Sequence, residues 1–277
     1  MILYYLLYLF FLVYLHKFVY ILGDKLLLQF FKDGTITTET LRRISNENIL
    51  NFKESEYEKP CDSIDTEKVK TNFDNHNNNE TISFSPYKRK YIIKNIWKSF
   101  ILLIILIGST IQFLDGFINN VWSNLSFKTW GTIYVALDLS GLIYVKGLPI
   151  ATVIHHIVVN ILGVVNAQTD YNLPGYYRSI IIYTYFSIIP FLVNFYLGYR
   201  YLDTNEYRKK KLAYYAYRLY QVSLFLNIIS QFVFFIAEPY HYSIAFYFVL
   251  YCLILNDDIK LILFLKREAQ NPLNIKQ

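Results

Sequence analysis

Cysteine is scarce in this chain of 277 residues: there are two, Cys61 in a polar segment and Cys252 in an apolar one. Neither stands at a metal-ligand or disulfide spacing, so no zinc module or disulfide framework organises the fold. Charge is also scarce, at 17% of residues. The basic residues between Lys25 and Lys98 are interleaved with acidic ones, which leaves no single basic face and no compositional support for nucleic-acid binding. The stretch from Met1 to Leu22 lacks a basic leading region and a small-residue cleavage site, and so reads as a retained anchor rather than a removed signal peptide. The C-terminal NPLNIKQ contains no KKxx or KDEL-type retrieval signal.

What is present is apolar. Hydrophobic residues make up 54% of the chain and aromatics 19%, and they arrive in long blocks, which is a membrane profile. The abundance of Ile, Asn, Tyr and Lys resembles coding bias in an AT-rich genome, which lowers the weight of any single Asn or Tyr. The expected fold is all-α: a polytopic transmembrane helix bundle of about seven spans, each needing roughly 17 residues or more.

Taken in order, residues 1–22 form the anchor, broken only by His16 and Lys17, with His16 read as a boundary residue. Residues 23–95 form a polar, partly disordered loop. In it LLLQFFKDG reads as an interfacial turn or helix end, and the Asn-rich, mixed-charge part cannot bury enough apolar area to offset its ordering entropy. His76 there reads as a surface residue. The basic cluster PYKRKYIIKNIWK reads as a juxtamembrane anchor on an anionic leaflet. A six-helix membrane domain follows at 96–268, with spans at Ile96 to Leu114, Thr129 to Val145, Leu148 to Val165, Tyr177 to Leu197, Tyr214 to Ala237 and His241 to Leu265, then a short tail at 269–277.

Orientation follows from the loops. If 23–95 is cytoplasmic, later loops should alternate between poor and rich in Lys and Arg. The loop 115–128 holds only Lys128 and the next turn holds Lys146, while the loop near 170 holds only Arg178. Arg200, Arg208 and Lys209 to Lys211 then cluster, the turn at Glu238 and Pro239 has no basic residue, and the tail carries Lys266 and Arg267. The N terminus is therefore expected on the luminal or external side and the C terminus in the cytoplasm. Asn79, in the sequon NET, should stay unglycosylated on the cytoplasmic side.

The candidate site lies in TWGTIYVALDLSGLIYVKGLPIATVIHHIVVNILGVVNAQ, from Thr129 to Gln168. Asp138 stands mid-span in the first apolar segment, with Tyr134, Gly141 and Val145 on its face. His155 and His156 lie in the second, His156 sharing a stripe with Asn160 and Gly163. Ionisable residues in such segments are costly and mark a functional site by default. Adjacent histidines point about 100° apart, so one is expected to face a cavity while the other bonds a neighbour. A neutral imidazole there could take a proton or attack an activated acyl group, with Asp138 fixing its tautomer. The alternative is a satisfied polar contact that locks two helices. A metal centre is the weaker reading, because only two histidines and one aspartate offer themselves. Asp257, Asp258 and Lys260 read as the cytoplasmic end of the last helix, with Asn256 just buried; a cation or amine site is the alternative.

The chain resembles the TLC domain family, multi-pass membrane proteins that include TRAM, Lag1 and CLN8 proteins and the ceramide synthases. The resemblance covers roughly residues 90–268. It is carried by Asp138 in YVALDLSGLIY, by His155 and His156 in ATVIHHIVVNILG, and by Ser187 with Asn194 in YFSIIPFLVNFYLGYRY. Weaker matches are Arg218 in YYAYRLYQ and Asn256 in LILNDDIKLIL. In ceramide synthases the histidine pair opens HHxxT, whereas the fifth position here is Val159, and Tyr185 stands where less specialised members often have Glu.

The resemblance implies an endoplasmic-reticulum or related internal membrane and a polar core of Asp138, His155, His156, Asn160, Ser187, Asn194 and Arg218. With the synthase surroundings altered, it implies a protein that binds, senses or redistributes membrane lipid. The alternative it implies is an N-acyltransferase joining acyl-CoA, as substrate, to a sphingoid base, with His155 or His156 as base or acyl acceptor and Asp138 as partner. A translocation or trafficking protein, contacting a partner through residues 35–90, is the third reading. No cofactor is expected.

Overall fold

The computed structural model describes residues 2–32, 86–237 and 242–270. The polar segment with Cys61, His76 and Asn79, most of the expected partner loop 35–90, the Glu238–Pro239 turn and the end of the tail lie outside the described residues. Among the described residues the fold is all-α.

The first helix, α1 (Ile2–Lys32), continues past Leu22 through LLLQFFK, where the sequence suggested a turn or helix end. Nothing in that stretch breaks a helix, since it holds neither proline nor a run of turn formers. Helix α2 (Pro86–Asn119) opens with proline at its first position, where the missing N–H costs nothing. The helix stops after Asn119, and Asn120 takes a left-handed φ of 55°, a conformation Asn tolerates at helix C-termini.

Helix α3 (Asn124–Tyr144) starts on Ser123, whose side chain accepts from the Ser126 N–H. Gly147, at φ 75°, turns the chain, and α4 (Ile150–Gln168) starts after Pro149. Helices α5 (Tyr177–Ile188) and α6 (Phe191–Tyr199) form one rod bent by 42°. Pro190 causes the bend, because it removes one backbone donor and crowds the preceding turn. Two long helices complete the described chain, α7 (Glu206–Ala237) and α8 (Tyr242–Gln270).

Counting the bent pair as one rod gives seven described helical rods in the expected order. Helices α1, α2, α4 and α7 are long and apolar enough to cross a membrane, and the bent pair makes a fifth candidate; α3 and α8 fall outside that measure.

The bundle carries large apolar side chains on its outside and buries charged ones within. Phe10, Ile107, Leu125 and Ile236 are 72%, 72%, 80% and 81% exposed, while Lys94, Lys98, Asp138, His156, Asp257 and Asp258 are buried. So much exposed apolar surface would drive association in water and suits hydrocarbon. The chain is a polytopic membrane protein.

Its central core joins Leu102 and Ile105 of α2 to Tyr134 and Leu137 of α3, Val159 and Leu162 of α4, Ile180 and Tyr183 of α5, and Tyr247 and Ile254 of α8. Gly198 lets α6 approach α2 closely: a Cβ there would sit 3.0 Å from the Ile92 carbonyl. His16 is buried and accepts a 2.8 Å hydrogen bond from Trp97 Nε1, so it ties α1 to α2 rather than marking a membrane boundary.

Candidate functional site

One cavity of about 140 Å³ opens at the end of the bundle where α2 begins, α3 turns into α4 and α6 ends. Its size is close to the roughly 150 Å³ of engineered cavities that admit a benzene ring. Its wall from α2 is Lys88, Tyr91, Lys94, Asn95 and Lys98, and its wall from α4 is Thr152, His155 and His156. Positions three and four apart share a helix face, so each set is one polar stripe on an otherwise apolar helix. Tyr183, Ser187 and Asn194 of the bent rod, Tyr220 of α7, and Asp257 and Asp258 of α8 close it.

The deepest contacts form around Asp138, which is 0% exposed and stands behind His156, itself 3% exposed. Asp138 Oδ1 accepts from Lys98 Nζ in a short buried ion pair and lies 3.2 Å from His156 Nδ1. The opposite ring nitrogen, Nε2, lies 3.4 Å from Lys94 Nζ. A carboxylate at Nδ1 and a donor at Nε2 assign the proton to Nδ1, with the Nε2 lone pair accepting from Lys94 at the cavity wall. Gly141 makes room for Lys94, because a Cβ there would meet Lys94 Cε at 2.9 Å.

His155 faces a second set of carboxylates. Its Nδ1 lies 3.4 Å from Asp257 Oδ2 and 3.7 Å from Asp258 Oδ1. Thr152 Oγ1 donates to Asp257 over 3.1 Å, and Tyr220 Oη donates to Asp258 over 2.7 Å.

The two histidine rings sit edge to face with centroids 5.5 Å apart, and both line the cavity. His155 also meets the carboxylates of a neighbouring helix, the second contact that the turn of about 100° between adjacent positions allows.

Of the residues singled out in the sequence, Asp138, His155, His156, Ser187 and Asn194 gather at or directly behind this cavity. Asn160 does not line it, and its side chain donates to the His156 carbonyl on its own helix. Arg218 is exposed on α7 and donates to Gln221 Oε1. Asn256, expected just inside, is exposed.

Two residue groups are repositioned. Asp257 and Asp258 do not mark the helix end: α8 runs on to Gln270 and both carboxylates turn inward. Lys94 and Lys98 do not reach for headgroups but are buried beside the histidines. The signal was in the sequence, since Lys94 and Lys98 are spaced i, i+4 and continue the face of Tyr91 and Asn95.

Asp138, His155 and His156 present donor atoms within 4.8 Å of one another, a grouping able to hold a metal ion. Lys98 already neutralises Asp138, so a cation would have to displace an ammonium to bind there. The arrangement suits proton transfer directly: two imidazoles, each with a carboxylate at Nδ1, share one cavity with two ammonium groups. Burying so many ionisable groups carries an effective penalty of several kcal/mol per ion, so mutual pairing alone is a poor reason to keep them. No protein-family model, curated protein or solved structure matches this chain.

Proposed function

We propose that the chain is a membrane acyltransferase of the ceramide synthase type, joining the acyl group of acyl-CoA to the amine of a long-chain base. The reading rests on the TLC resemblance and on one observation above others: His156, with Asp138 at Nδ1 and Lys94 at Nε2, faces a cavity inside a membrane bundle. Passive lipid binding, which the altered HHxxT context favours, gives no reason for a buried imidazole and carboxylate dyad flanked by lysines. Apolar walls would serve it at less cost.

In the proposed reaction Lys94 turns from His156 to the acyl oxygen, which frees Nε2 to take the amine's proton as the amine nitrogen attacks the thioester carbonyl. The C–N bond forms, the C–S bond breaks, and the departing thiolate receives the proton back from the imidazolium. Lys94 provides a positive charge for the oxyanion, a role in which a preplaced donor is worth about 10²–10³ in rate. Asp138 holds the tautomer and steadies the imidazolium.

The proposal includes seven spans, a luminal or external N terminus and a cytoplasmic C terminus, in the endoplasmic reticulum or a related membrane. In that orientation the cavity mouth faces the cytoplasm, the side from which a soluble acyl thioester arrives. Proteoliposomes given acyl-CoA should release free thiol only when a sphingoid base is added, and D138N should lose that release. Absence of amine-dependent thiol release across short, long and very long acyl chains refutes the reading.

A further inference from the structure

Two lysines stand one turn apart on one face of α2 and line the same cavity, yet they are held differently. Lys98 is paired with Asp138. Lys94 is 6% exposed, and its hydrogen-bonding contact among the described residues is a neutral base, His156 Nε2 at 3.4 Å, rather than a carboxylate. Its stem is seated against Gly141, where a Cβ would come within 2.9 Å of Lys94 Cε. A primary amine becomes a nucleophile when it gives up a proton, and what activates one is a second cation nearby and a base in contact. Lys94 has both.

We infer that Lys94 is a covalent binding site for a long-chain aldehyde, which it holds as an imine on Nζ. The carbonyl class follows from the nucleophile. A buried primary amine beside a base condenses with an aldehyde, and the product lasts where water, which would hydrolyse it, is kept out. A ketone would bring a second branch into a cavity of only about 140 Å³. The long chain follows from the setting: Leu148, Val193, Leu197 and Leu261 give the cavity an apolar wall, and the bundle around it faces hydrocarbon.

Lys94 passes one ammonium proton to His156 Nε2, and the freed electron pair of Nζ attacks the aldehyde carbon. The C–N bond forms, the C=O π pair moves to oxygen, and that oxygen takes the proton from the imidazolium. A second Nζ proton follows by the same ring, the C–O bond breaks and water departs as the C=N bond forms. The third hydrogen stays on nitrogen. The protonated imine therefore carries the charge the ammonium had, His156 ends as it began, and nothing is oxidised or reduced. Imine formation needs no acyl donor, so it stands apart from the transfer reaction. Only its consequence rests on that reading: a Lys94 held as an imine cannot turn to the acyl oxygen, which makes the aldehyde a reversible inhibitor of transfer.

The test is reductive trapping on the full chain in nanodiscs of phosphatidylcholine, a lipid with no primary amine to compete. Octadecanal is the probe at neutral pH, and cyanoborohydride delivers hydride to the imine carbon, leaving a secondary amine that peptide mass spectrometry locates. The inference expects the octadecyl label to accumulate on Lys94 at least about tenfold faster than on the exposed Lys211, a positioned base being worth about 10²–10⁴. H156Q should slow labelling of Lys94 towards the Lys211 rate, and K94R should lose that label while Lys211 keeps its own. Equal rates at Lys94 and Lys211 in the wild type overturn the inference without any variant, and so does an unchanged Lys94 rate in a folded H156Q. Selective label on Lys94 in a protein that releases no thiol from acyl-CoA sinks the transfer reading and supports the aldehyde site.

Discussion

At one end of the bundle Arg178 is held by the Asn120 side chain and the Tyr171 carbonyl, with its guanidinium 4.7 Å from the Trp122 ring. Asn124 bridges Asp170 and the Tyr171 N–H, and Phe113, Trp122, Phe127 and Tyr171 pack around them. At the other end Lys94, Lys98, Asp138 and the two histidines meet around a cavity, and Asp138 Oδ2 lacks a hydrogen-bond partner among the described residues. The ingredients are alike: a buried cation, acidic and amide side chains, and a wall of aromatics. The first end holds its cation against the Asn120 and Tyr171 oxygens and the Trp122 ring, and Arg178 does not line the cavity. The second sets like-charged groups near one another and leaves that carboxylate oxygen free, which costs stability and is the usual mark of a working site.

The comparison breaks most sharply under substitution at each end. D138N should cut acyl transfer by about 10²–10⁴, the usual worth of a positioned acid or base. R178M should leave activity per folded molecule unchanged and cost about 1–3 kcal/mol of stability, because it takes the Arg178 donors from the Asn120 and Tyr171 oxygens. Activity assays beside denaturant titrations on the same preparations read both. Parallel losses in both variants would erase the distinction between the ends.

The Lys98 and Asp138 pair gives the next effect. K98M alone should destabilise by about 3–5 kcal/mol because it strands Asp138, whereas K98M/D138L should recover most of that loss by removing both charges. Thermal midpoints of the two variants decide it, and equal losses would show that the pair is not an isolated ion pair.

A smaller change tests the fit of Lys94. G141A should cost little stability, because its Cβ meets only the flexible end of the Lys94 side chain, and activity should fall further than stability, because that end is displaced from His156. Full activity in G141A would remove Lys94 from the reaction.

The smallest effect is at the far end. The hydrogen bond from Asn124 holds the Asp170 carboxyl below its usual range. A depressed carboxylate contributes stability that is complete above its unfolded value and is lost as pH falls through the folded one. N124A should raise the Asp170 pKa, read by carboxyl NMR, and leave acyl transfer at neutral pH unchanged.

Much of this was legible in the sequence. Apolar blocks gave the rods and Pro190 marks the bend. Asp138, His155 and His156 stood out because charge is conspicuous where everything around it is apolar. Lys94, Lys98, Asp257 and Asp258 were harder to read, because each lies near the end of an apolar block, where the same charge serves equally well at a headgroup. Only packing separates the two cases. Gly198 draws α6 onto α2, and α8 lies against α4 and α7, turning those stripes inward. Arg218 and Asn160 were overvalued for the opposite reason: a polar side chain on a helix can be satisfied on its own helix or at the surface without reaching a cavity.

The central claim is that the cavity around His156 transfers an acyl group to an amine. The most direct measurement is mass spectrometry of the lipid product formed by purified wild-type protein and H156A in matched nanodiscs, supplied with acyl-CoA and sphingoid base. The account predicts an N-acylated base from the wild type and a loss of at least about 10²-fold in H156A. Product from neither protein, or from both at the same rate, would contradict it.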